Sequence, residues 1–167
     1  MFWVTRIGAS LICGVRRLIM RLWKRPAVSR NDAVFGRIVR GKHGWTLEVS
    51  DSEGGSPSVS LIAGDDGPSD AQRLAHQQLQ SQLGVFAGDL TAALYELYSP
   101  YLAVPDWDGP RPGSATDLRE MLELSSVTYL EDATLELLYA FKGDVWPDAM
   151  FTVEIRDGRV RGVALDD

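Results

Sequence analysis

Residues 69–98 carry apolar side chains at intervals of three and four, and on either side of that block the interval falls to two. This segregation narrows the fold most. Parallel β-α-β units would alternate strand and helix, whereas runs of strands around a helical block imply an antiparallel sheet with helices laid against it. Ahead of the block, residues 33–40, the turn Gly41-Lys42-His43-Gly44 and residues 45–49 form a hairpin pattern, and residues 58–63 follow a Gly- and Ser-rich loop as a third strand. Within the block, Ser69 or Asp70 caps a helix whose inner side is Ala71, Leu74, Ala75, Leu79 and Leu83. Gln72, Arg73, Gln77, Gln78, Gln80 and Gln82 point outward, and Gly84 marks a stop. A second helix shows Phe86, Leu90, Ala93, Leu94, Leu97 and Tyr98 on one stripe.

Residues 104–113 hold three prolines and two glycines and read as an irregular connection, after which Ser114 caps a short third helix. Four strands close the chain at 124–130, 134–141, 150–156 and 159–165, the last two joined by Asp157-Gly158, a two-residue hairpin turn. The expected class is therefore α+β. It has three N-terminal strands, two to three helices and four C-terminal strands in an antiparallel sheet, with the helices on one face.

Charge divides the chain in two. Residues 1–31 hold seven basic and no acidic residues, which leaves ten basic and all 23 acidic residues in 32–167, a net of −13. Binding nucleic acid through its phosphates needs clustered Lys and Arg, so the body is not expected to bind nucleic acid. Its one hundred and thirty-odd residues suffice for a single core without staples. The only cysteine, Cys13, lies in the basic tail, so no internal disulfide forms.

The longest uncharged run of that tail is nine residues, Ile7 to Val15, short of the ~20 needed to span a bilayer. Arg16 and Arg17 stand where a signal peptide would carry its cleavage site. Two readings stay open. Residues 2–23 form a basic amphipathic helix on an anionic membrane surface, with an acyl anchor on Cys13 as an option. Alternatively, translation starts at Met20 and the earlier residues are not part of the working protein.

The body offers little for chemistry. His43 falls in a turn and His76 on the polar side of a helix, both expected at the surface and neither near a metal-ligand set. No phosphate-binding glycine loop and no nucleophile elbow occur. Trp146-Pro147-Asp148 looks like the acid loop of tyrosine phosphatases, but the body holds no cysteine to serve that chemistry. No catalytic residue, cofactor or metal is expected. Paired loop acids could run a small hydrolase, which is the alternative reading. The leading candidates form a partner-binding surface: Trp107 between Asp106 and Asp108, and Trp146 between Asp144 and Asp148. Tryptophan ringed by charge suits the centre of a protein interface, and the acids suit a basic protein partner.

The stretch Asp32 to Ile38 (DAVFGRI) with Trp45, Gly67 to Gln72 (GPSDAQ), Leu94 to Tyr98 (LYELY), and the close from Phe141 to Val160 ending FxVxIxDGxV resembles a group of small uncharacterised bacterial proteins of unknown function. The resemblance covers residues 20–167. It implies an α+β fold, a bacterial cytoplasmic setting and, for some members, an immunity-type role beside toxins. It brings no catalytic residues. It also favours the Met20 start, since residues 1–19 depart from the pattern.

Overall fold

Each strand pairs with its neighbour in sequence, so the chain builds two meanders. The computed structural model describes residues 28–47, 56–143 and 145–166. The first meander is β1 (Ser29–Asp32), β2 (Gly36–Arg40), β3 (Trp45–Leu47) and β4 (Ser58–Leu61). The second is β5 (Leu122–Tyr129), β6 (Leu135–Phe141), β7 (Met150–Arg156) and β8 (Arg159–Asp166). Between them run a long helix α1 (Asp70–Tyr98), a 3₁₀ turn (Ser99–Ala103) and a short helix α2 (Ala115–Met121).

The layout departs from the expected seven strands. The sheet has eight, in the order β1 to β8, and one join is parallel: β4 lies beside β5 with Ser58 opposite Ser126 and Leu61 opposite Tyr129. A crossover through helices returns the chain to the end from which it left, so adjacent strands joined that way run parallel. The extra strand, β1, lies ahead of residues 33–40, and of that stretch only Gly36–Arg40 is strand. Asp32 Oδ1 accepts hydrogen bonds from the N–H groups of Val34 (2.9 Å) and Phe35 (3.1 Å), a turn closed by Gly36 at φ +73°. The first strand therefore begins at Ser29.

The second correction is the helix. Gly84 does not stop it; α1 runs unbroken for 29 residues. A mid-helix glycine costs only about 1 kcal/mol against alanine. The two apolar stripes are also in phase. Leu79 and Leu90, both buried, are eleven residues apart, which is three turns. The inner side is rotated from the expected one. Leu74 is 54% exposed, whereas Gln72 is 1% and His76 8% exposed. His43 is exposed as expected, but His76 is not a surface histidine.

The core lies between α1 and one face of the sheet. Ile38, Trp45, Leu61, Val127, Tyr129, Leu137, Tyr139, Phe151 and Val153 line that face, and Leu90, Leu94 and Tyr98 meet them from the helix. Near its N-terminus α1 sits over Phe35 and Tyr129; at its C-terminus it reaches Phe141 and Phe151. Among the described residues no helix is long and apolar enough to cross a membrane. The expectations for the tail, including the membrane-surface helix, Cys13 and the Met20 start, lie outside the described residues.

Candidate protein-binding site

The end of α1 and three connections meet at one end of the sheet. Tyr98 closes the helix, Tyr101 follows in the 3₁₀ turn, Trp107 comes from the proline-rich connection and Trp146 from the loop between β6 and β7. Their rings form one cluster with Phe141 and Phe151. Trp107 and Trp146 pack edge to face with centroids 5.0 Å apart, and Tyr101 sits 5.3 Å from Trp107 and 6.0 Å from Trp146. Such edge-to-face pairs contribute about 0.5–1.5 kcal/mol each beyond the area they bury. The two tryptophans, 39 positions apart in sequence, thus form one surface.

The connection is held from within. Tyr98 Oη (2.6 Å) and Trp107 Nε1 (3.2 Å) both donate to Pro110 O. Burial pushes the Tyr98 hydroxyl above the usual tyrosine range, so it stays a donor. Gly109 lies against the Trp107 ring so closely that a Cβ there would sit 2.2 Å from Cζ2.

Around the rings stand the acids. Asp106, Asp108 and Asp148 are exposed, and no ion pair joins them to another described residue; Asp144 lies outside the described residues. Trp107 and Trp146 are half-buried, and next to them Val104 is 47% and Val145 63% exposed. The nearby cations bond to backbone carbonyls rather than to these acids. Arg111 donates to Trp107 O and Lys142 to Glu120 O, each at 2.6 Å. The surface is therefore an apolar centre with unpaired carboxylates at its rim.

A second polar cluster lies under the other half of α1, and sequence reasoning missed it. Asp32 is buried and takes Arg73 on one oxygen, with Nη2 at 2.8 Å and Nε at 3.0 Å. Burial works against its charge, but the Arg73 guanidinium and the Val34 and Phe35 N–H groups outweigh that and hold the carboxyl below the usual carboxylate range. His76 Nε2 accepts from the Gln80 amide at 2.9 Å, which leaves the proton on Nδ1 to donate to Tyr129 Oη at 2.6 Å. Phe35 covers the imidazole with centroids 4.6 Å apart. Burial lowers the His76 pKa, against the opposing pull of Asp32. The only advance signal was spacing: Gln72, His76 and Leu79 fall at helical intervals.

This cluster sets a pH dependence. A histidine whose folded pKa is depressed stabilises the fold above its unfolded value and loses that contribution as pH falls. The denaturant midpoint is therefore expected to drop as pH is lowered from about 6.5 through the lower folded value, with Asp32 adding a further loss below about 4. In the His76→Gln variant the first of these losses disappears. A midpoint flat from pH 7 to 5 in the parent chain rules out a depressed His76.

No three His, Cys, Asp or Glu side chains converge on a common point among the described residues. No family model matches the chain, and no curated protein or solved structure is significantly similar to it.

Proposed function

We propose that this chain is a non-enzymatic protein-binding domain whose Trp107–Trp146 face receives a basic partner. The observation that carries the reading is the joining of two tryptophans from separate connections into one apolar patch, rimmed by Asp106, Asp108 and Asp148 while Arg111 and Lys142 are held by backbone carbonyls. Aromatic residues at the centre anchor a partner, and rim charges steer its approach. A body of net charge −13 adds long-range attraction for a cation-rich surface. The resemblance to small bacterial proteins, some with relatives in toxin–immunity neighbourhoods, favours a cytoplasmic, immunity-type inhibitor of a cationic protein.

The test separates this face from bulk charge. A lysine- and arginine-rich peptide is titrated into the full chain, with indole resonances and tryptophan emission as readouts. The triple variant Asp106→Asn, Asp108→Asn, Asp148→Asn is expected to bind about tenfold more weakly at low salt. A control triple with the same charge change elsewhere, Asp66→Asn, Glu131→Gln, Glu154→Gln, is expected to bind nearly as the parent. Equal weakening by both triples overturns the reading.

A further inference from the structure

We propose that β8 is a pairing edge for a second copy of this chain, the two β8 strands meeting antiparallel to extend the sheet across the dimer. This rests on observations independent of the tryptophan face. The sheet has two edges, β1 and β8. β1 is four residues of Ser-Arg-Asn-Asp, too short and polar to template a partner. β8 is eight residues long and, among the described residues, pairs on one side only, with β7.

The core is unfinished there. Phe151, Val153 and Ile155 of β7 are 2% exposed or less, whereas Leu165, Val163 and Val160 opposite them on β8 are half-buried. Beside them a groove of about 460 Å³ runs between β8 and the end of α1, floored by Leu97, Pro100, Val160 and Val163 with Glu96 and Arg161 at its rim. A neighbouring strand whose inward side chains continue the apolar row would cover that groove.

Charge says which strand. Arg159 and Arg161 occupy the first half of β8 and Asp166 its end, all three exposed. Arg161 is also the extra residue of a bulge opposite the Glu154–Ile155 step, a feature that deters pairing with a chance strand. Two β8 strands in parallel would set like charges together. In antiparallel pairing each strand's arginines lie along the other's acidic end, and the match occurs twice by symmetry.

Sedimentation of the full chain over a concentration series tests this, with hydrogen exchange of the β8 amides as a second readout. A concentration-dependent dimer with protected β8 amides is expected. The variant Arg159→Glu/Arg161→Glu makes β8 uniformly acidic, and Asp166→Lys makes it uniformly basic. Each alone is expected to self-associate about tenfold or more weakly, and a one-to-one mixture of the two to pair again. A monomer up to about 100 µM overturns the proposal. A dimer insensitive to both variants does so too. A monomer with protected β8 amides also overturns it, since another part of the chain would then cover the edge.

Discussion

Replacing Tyr98 by alanine is expected to lower the unfolding free energy by about 4 kcal/mol, as deletion of a fully buried aromatic ring does. Tyr98 has no exposed surface, and its ring meets Tyr101, Trp107, Phe141, Trp146 and Phe151 with centroids 5.8–6.4 Å away. Its loss empties the middle of the cluster that positions both tryptophans. The same variant should therefore lose near-ultraviolet circular dichroism and bind the basic peptide weakly even where it remains folded. Tyr98→Phe separates the ring from the hydroxyl. Pro110 O keeps the Trp107 N–H when Tyr98 Oη is removed, so no carbonyl is orphaned and the cost should be about 1 kcal/mol or less. Denaturant unfolding of the two variants checks this; a phenylalanine variant as damaged as the alanine one would place the stabilisation in the hydroxyl instead.

Gln72 carries the second large effect. Its Nε2 donates to Ile62 O and Leu130 O, each at 2.9 Å, and to Tyr129 O at 3.3 Å, while its Oε1 accepts from the Ser69 N–H. Those carbonyls lie where β4 and β5 end side by side, at the single parallel join of the sheet. One amide therefore caps α1 and ties both meanders together. Gln72→Ala is expected to cost about 2 kcal/mol, combining a small cavity with the loss of the donor to Ile62 O and of the acceptor for the Ser69 N–H, while Tyr129 O and Leu130 O keep the N–H groups of Ile62 and Ala133. Gln72→Met fills the space without restoring a donor and should keep most of that loss. A methionine variant as stable as the parent would show that packing, not hydrogen bonding, holds this position.

Much of the strand pattern is legible in the sequence. β6 and β7 bury every second side chain, β8 alternates exposed with half-buried ones along most of its length, and Asp157-Gly158 turns with both φ values positive, as that hairpin type requires. The capping roles of Ser69 and Ser114 were legible for the same reason: each serine accepts an N–H three residues on. These are local effects, decided within a few residues of chain.

The misreadings share a physical cause as well. Ala33 to Phe35 reads as part of a strand by composition, but the Asp32 carboxylate captures two N–H groups and bends the chain. Gln72 and His76 read as solvent-facing because they are polar. They are buried because strand-end carbonyls and the Tyr129 hydroxyl, 53 to 58 residues away in sequence, supply partners that a helix alone does not have. Burial of a polar group depends on whether its partner is present, and that is a property of the assembled fold.

The candidate site divides along the same line. Composition and spacing marked Trp107 and Trp146 with their acids as two separate loops. Only the packing of both connections against Tyr98 brings the rings to 5.0 Å. The sequence by itself determined seven of the eight strands, the helix caps, the charge division and the residue types available for binding, since periodicity and capping act over a few residues. The tertiary structure alone decided the parallel join, the buried polar cluster and the meeting of the tryptophans, because each depends on contacts between segments far apart in the chain.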